Sequence, residues 1–206
     1  MSEPTSNQSS SKTILKAVKY AAECHRDQRR KDQFKTPYIN HPVEVAEFLA
    51  NLGVTDVNTL VGCILHDVLE DTDGTEQQIS DLFGDVVLRI VLDCSDDKSL
   101  DKIQRKRLQI SHAEDIRPEA KLVKLADKYS NISGLLTHPP TSWSEEEIKG
   151  YVHWGMAVCR NLYGVNETVD NELRKLFSQH GVDVNMSQTE LEKHLEAYYK
   201  VIDKSE

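Results

Sequence analysis

Apolar positions recur every three to four residues along nearly the whole chain, and no stretch sustains the two-residue alternation of a half-buried strand. The pattern predicts consecutive helices joined by short breaks. Ile14, Val18, Ala21 and Cys24 or His25 mark a first helix, followed by a loop through Asp32–Tyr38 with Pro37 as a breaker. Pro42 suits the first turn of a second helix that starts just after His41 and stops at Gly53. Asp56 is placed to cap a third, whose apolar face takes in Val57, Leu60, Val61, Ile64, Leu65 and Val68. Thr75 with Gln78 makes a capping box for a short helix ending near Phe83-Gly84, and Val87, Ile90, Val91 and Cys94 continue as another.

A charged segment, Ser95–Arg107, leads to Leu108 and Ile110. Pro118 then opens a long helix with Leu122, Leu125, Ala126, Tyr129 and Ile132 inward. Ser144 and Glu147 cap the next, carrying Ile148, Tyr151, Val152, Cys159 and Leu162, and Val169, Leu173, Leu176 and Phe177 form one more before Gly181. With 206 residues and no linker rich in Gly, Pro or Ser, the chain reads as a single all-α domain, a helical bundle over residues 12–181. Residues 1–11 are polar and are expected to form a disordered lead-in. Residues 182–206 are an extension with one amphipathic helix over 187–202, started by Ser187 and Glu190 and striped by Leu191, Leu195, Tyr198 and Ile202. That stripe must bury against the domain, a second subunit or a partner, so association into a homo-oligomer through exposed helices is one expectation.

Composition narrows the setting. No apolar run approaches the roughly 18 residues of a membrane span, and Met1–Ser11 lacks the apolar middle of a secretory signal. The cysteines, Cys24, Cys63, Cys94 and Cys159, are scattered without a C-x-x-C pair, and a reducing, cytoplasmic location is expected. A net charge of −9 argues against nucleic acid as a partner, since phosphate contacts need a basic surface. Positive charge does gather locally at Arg26, Arg29, Arg30 and Lys31, which alone reads as a solvated helix end.

Chemistry enters at Leu65-His66-Asp67-Val68-Leu69-Glu70-Asp71-Thr72. On a helix His66 and Glu70 share a face, as do Asp67 and Asp71. Four ionisable groups beside an apolar face are costly without a counter-charge, which a divalent cation would supply. The bland reading of the same residues is a helix end fraying into a solvated acidic loop. Partners shift the balance. His41 stands at a loop-to-helix junction, and Asp127 sits mid-helix between Leu125 and Tyr129, where an aspartate is unfavourable by propensity, with Asn131 four residues on. His41, His66, Asp67 and Asp127 make a mixed nitrogen and oxygen set. It suits a six-coordinate metal with open positions, manganese before iron, cobalt or zinc. Of the other histidines, only His25 is an exception to a surface or packing reading.

These residues in this order resemble the H…HD…D signature of the HD hydrolase superfamily. The segments His25–Asp32, Thr36–Pro42, Leu65–Thr72 and Lys121–Lys128 ending at Asn131 resemble, more narrowly, the hydrolase domain of RelA/SpoT-type enzymes, and among them the small stand-alone animal SpoT homologues. The likeness runs from about Ile14 to Gly181, without room for synthetase or regulatory domains. It implies hydrolysis of the 3′-diphosphate of guanosine tetra- and pentaphosphate (ppGpp and pppGpp), with manganese as the metal. It implies that His41, His66, Asp67 and Asp127 are metal ligands, and that Glu70 and Asp71 position and activate the attacking water. Arg30, Lys31, Lys98 and Arg105 become candidate counter-charges to the diphosphates, Tyr38 a candidate for the base, and Asn131 for ribose or phosphate.

The chain departs from the family's pattern at Tyr129-Ser130, where a leucine with an aromatic or histidine is more usual, and in its C-terminal helix. The alternative with the same chemistry is a phosphatase acting on another nucleotide bearing a ribose 2′ or 3′ phosphate, such as NADP(H). A non-enzymatic nucleotide-binding module is disfavoured, because the ligand set and the acid pair are both complete.

Overall fold

The computed structural model describes residues 6–203. In chain order the elements are α1 (Ser6–Cys24), α2 (Asn40–Asn51), α3 (Val57–Leu65), α4 (Val68–Asp71), α5 (Glu76–Phe83) and α6 (Asp85–Cys94), followed by α7 (Lys102–Ser111), α8 (Pro118–Thr137), α9 (Glu145–Leu162), α10 (Glu167–Gln179) and α11 (Gln188–Asp203). Among the described residues there is no strand, only an isolated antiparallel bridge between Arg29 and Pro37. The all-α expectation holds. No helix among the described residues is long and apolar enough to cross a membrane.

Two helices organise the core. α3 is buried from Thr59 to Leu65, packed by α1, α2, α6 and α8, which accounts for a sequence that is apolar nearly all round. α8 lies against α2, α3, α6, α9 and α10, with Val123, Leu125, Ala126 and Ile132 inaccessible to solvent. The C-terminal end of α3, the first turn of α2 and the middle of α8 therefore meet at one place.

The end signals act as their chemistry requires. Asp56 accepts from the Thr59 N–H at 2.8 Å, and capping boxes form at Thr75/Gln78 and Ser144/Glu147. Pro118 occupies the first turn of α8. Asp101 and Asn166, not singled out by pattern, cap α7 and α10.

Two expectations are corrected. α3 does not run on to Val68: it ends at Leu65, and His66-Asp67 form a turn before α4. The disordered lead-in does not extend over residues 6–11, which already belong to α1; residues 1–5 lie outside the described residues. Of the coverings left open for the C-terminal stripe, the structure shows the domain itself. Leu191, Leu195, Tyr198, Tyr199 and Ile202 are buried and join Val152 and Trp154 in one hydrophobic cluster. α9 and α11 approach so closely that a Cβ on Gly150 would lie 2.6 Å from Tyr198 Cγ. Arg160 fastens the connection by donating to the carbonyls of Val184 at 3.0 Å and Met186 at 2.8 Å. The apolar stripe is thus taken up by the chain's own α9, and offers no reason for a second subunit.

Candidate active site

The fold brings four side chains together from three stretches of sequence: His41 in the first turn of α2, His66 and Asp67 in the α3–α4 turn, and Asp127 in the middle of α8. His41 Nε2 lies 3.1 Å from Asp127 Oδ1 and 3.7 Å from Asp67 Oδ2. His66 Nε2 lies 3.1 Å from Asp67 Oδ2 and 3.6 Å from Asp127 Oδ1. Ligand atoms at bonds of ~2.1 Å to one octahedral cation would be ~3 Å apart when adjacent and ~4.2 Å apart when opposite, so the spacing of His41, His66 and Asp127 fits a shared ion, while Asp67 stands beside both imidazoles with the Tyr38 hydroxyl on its Oδ2.

The hydrogen bonds behind the ligands decide which nitrogen faces inward. His66 Nδ1 donates to the Cys63 carbonyl at 2.7 Å, leaving Nε2 buried and without a hydrogen-bond partner. His41 Nδ1 lies 3.0 Å from Ser130 Oγ, which donates in turn to Glu44 Oε2 at 3.3 Å. Both imidazoles thereby direct Nε2 lone pairs at the carboxylates, the arrangement that orients histidines toward a metal. An orphaned buried nitrogen among carboxylates fits a divalent cation. Without one, a proton competes for the same lone pair: burial opposes charge on His66, but Asp67 and Asp127 raise its pKa well above the usual value. Ser130, one of the departures from the family pattern, is what anchors His41. Tyr129, the other, stacks on Phe48 with ring centroids 3.9 Å apart.

Lys128 was not anticipated. A lysine beside an aspartate on a helix reads as a surface charge, yet this one is 4% exposed and places Nζ 2.7 Å from Asp127 Oδ2. Burial alone would raise the Asp127 pKa, but Lys128 and the two histidines hold it well below the ordinary carboxylate range.

The acid pair sits on α4, so the turn at His66-Asp67 separates His66 from Glu70 instead of one continuous helix face joining them. The Asp71 N–H still donates to the Asp67 carbonyl at 2.8 Å and holds the two motifs in register. Glu70 Oε2 accepts from the Asp96 N–H at 3.2 Å, and Oε1 is 3.9 Å from both Lys98 and Arg105. Burial, then the charge of Asp96, pushes the Glu70 pKa upward. Asp71 is held on both oxygens, by Lys98 Nζ at 2.6 Å and by Gln28 Nε2 at 3.2 Å. Lys98 and Arg105, expected to face substrate, are therefore brought to the acid pair.

On the other side, Arg30, Lys31, Tyr38 and Asn131 line a cavity of about 350 Å³ that Trp143 and Tyr151 also border. Arg30 Nη2 donates to Asn131 Oδ1 at 3.3 Å, and Asn131 Nδ2 to Asp127 Oδ1 at 2.6 Å, so this wall is tied to a candidate ligand. The Tyr38 hydroxyl is committed to Asp67 Oδ2 at 2.7 Å, and the residue forms part of the cavity lining. Tyr151 escapes sequence reasoning because an aromatic at helical spacing looks like core, and Trp143 because it stands in the loop ahead of α9 with no motif around it.

Residues 17–149 match the family model of the HD domain. The chain belongs to the HD-domain family. A Danio rerio relative, named guanosine-3′,5′-bis(diphosphate) 3′-pyrophosphohydrolase MESH1, is 44% identical over 177 residues, covering 85% of this chain and 98% of its own length. A Homo sapiens protein of the same name is 44% identical over 172 residues, covering 83% of this chain and 96% of its own length. A solved structure of a metazoan SpoT orthologue, described as hydrolysing ppGpp and playing a role in starvation responses, superposes with a TM-score of 0.81 at 39% identity, covering 89% of this chain and 100% of that one. The matched HD segment spans every site residue singled out from the sequence, from Arg30 to Asn131. Membership in this family and the His/Asp cluster together mean dependence on a divalent metal.

Proposed function

We propose that this chain is a metal-dependent 3′-pyrophosphohydrolase that converts ppGpp and pppGpp to GDP or GTP and pyrophosphate. The observation that carries the reading is one cluster of buried histidines and partly buried aspartates, flanked by an acid pair and opening beside a cavity lined by Arg30 and Lys31. His41, His66, Asp67 and Asp127 hold the cation, for which manganese is the first choice and iron, cobalt or zinc follow, given a mixed imidazole and carboxylate set. When bound, it supplies Lewis-acid polarisation of the phosphoryl group and acidifies water.

The residues divide the remaining work. Glu70, whose carboxyl is pushed up by burial and by Asp96, is suited to exchanging a proton with the attacking water. Asp71, engaged on both oxygens, orients that water. Attack at the 3′-phosphorus breaks its bond to the ribose 3′ oxygen, releasing pyrophosphate. Arg30 and Lys31 meet the diphosphates, Asn131 borders the ribose, and the Tyr38 ring borders the base while its hydroxyl steadies Asp67. Lys98 and Arg105 balance the acid pair and lie within reach of a phosphate bound there. The setting is cytoplasmic, where nucleotide substrates are found.

The test is product identification with purified protein and Mn²⁺, offered ppGpp and NADPH side by side. Release of pyrophosphate and GDP from ppGpp supports the reading. Orthophosphate from NADPH with ppGpp untouched would replace it by the other nucleotide phosphatase. Glu70→Ala should keep its metal and lose rate by a factor on the order of a hundred or more.

A further inference from the structure

His25 has no part in the chemistry above, yet it is 2% exposed where α1 ends against the loop leading to α2. Its Nδ1 lies 2.6 Å from Gln28 Oε1, and the amide nitrogen of Gln28 donates to Asp71 Oδ2 at 3.2 Å. With that N–H group directed at Asp71, the amide oxygen must face His25, so the imidazole carries its proton on Nδ1 and donates it. The opposite nitrogen, Nε2, is buried with no hydrogen-bond partner. Such an orphan is costly compared with an apolar side chain in the same space. Packing alone gives no reason for a histidine here; the donor at Nδ1 does.

The surroundings keep that donor aimed. The His25 ring lies against Tyr38 with centroids 4.9 Å apart, and Tyr38 is itself anchored to Asp67. The Gln28 N–H donates to the His25 carbonyl at 3.0 Å, and the Tyr38 N–H to the Gln28 carbonyl at 3.1 Å, so the turn that carries the amide is fixed at both ends. Lys98, the other group holding Asp71, is a long exposed side chain with many rotamers to lose.

We infer that His25 is a positioning residue: acting through Gln28, it fixes the direction of the Asp71 carboxylate beside Glu70. The inference rests on the role proposed for Asp71 in orienting water. Both His25 and Gln28 should therefore matter to the rate of the chemical step more than to binding of nucleotide or metal.

Steady-state kinetics on ppGpp with Mn²⁺-loaded protein, alongside metal content, test this. Gln28→Leu should lower kcat about three- to tenfold, the worth of one hydrogen bond in this setting, with KM and bound metal unchanged. His25→Leu should lose a similar factor, and the double variant should lose no more than either, because a shared route makes the losses non-additive. His25→Asn, which keeps an N–H donor near the Nδ1 position, should recover most of the rate. Additive losses, an equal loss in His25→Asn and His25→Leu, or a change confined to KM would overturn the inference. Should His25→Leu fail to fold, Gln28→Leu decides alone, and an unchanged kcat would refute the tie. A wild type inactive on ppGpp counts against the proposed substrate. The tie is then judged from crystal structures, in which Gln28→Leu should release the Asp71 carboxylate from its place, and an unmoved carboxylate sinks the idea.

Discussion

Asp127 and Lys128 show how much of a site can be settled by one neighbouring charge. A carboxylate facing two imidazoles in a buried position needs more than hydrogen bonds, and Lys128 provides a full positive charge 2.7 Å away. Removing one partner of a buried pair leaves the other uncompensated, at a cost of about 3–5 kcal/mol. Lys128→Met is accordingly expected to lower the unfolding free energy by about 3 kcal/mol in urea titration of metal-free protein; a change under about 0.5 kcal/mol would mean that Asp127 does not depend on it. Glu70 gives a second test at this scale. Its folded pKa is raised by burial and by Asp96, so its protonated form persists to a higher pH than that of a free glutamate. The carboxylate form is the one that accepts a proton, so the acid limb of kcat against pH should fall at a higher pH than the ordinary glutamate value of about 4.3. Glu70→Gln should remove that limb along with most of the rate. The candidate ligand residues were legible in the sequence because histidine and aspartate at helix positions that favour neither demand a reason. Lys128 and Gln28 were not, since a lysine or glutamine on a helix or loop satisfies every local rule while exposed.

At the scale of elements, periodicity found the helices because each buries a stripe against neighbours, and the caps at Asp56, Thr75 and Ser144 fixed where they begin. The break between α3 and α4 was illegible for a physical reason. Apart from Gly62, the residues from Val57 to Asp71 carry no helix breaker, and the turn falls at His66-Asp67, the two side chains that converge on His41 and Asp127. α11 was legible as a helix but not in its destination, because an apolar stripe does not name what covers it. Gly150 held the clue, being a residue that weakens a helix interior unless another backbone or ring must come close. Tyr198→Ala would open a cavity between α9 and α11, and is expected to cost about 3 kcal/mol. The measurement is the urea midpoint at unchanged slope. A cost near zero would place α11 outside the cooperative unit.

For the whole molecule, the candidate site would act as a fastener as well as the proposed reaction centre. It joins positions 41, 66, 67 and 127, far apart in sequence, and it concentrates carboxylates in a chain that already carries a net charge of −9. A cation that binds the folded chain and not the unfolded one stabilises it by mass action, by about 2.7 kcal/mol at a free concentration a hundredfold above its dissociation constant. For a domain of this size that corresponds to a rise in Tm of roughly 5–10 °C. Scanning calorimetry of protein stripped by a chelator and then reloaded with Mn²⁺ should show such a rise. The Asp127→Ala protein, with its ligand set broken, should show little or none. Equal shifts in the two proteins would locate the stabilising metal elsewhere, on the acidic surface, and would remove the link between this cluster and the integrity of the fold.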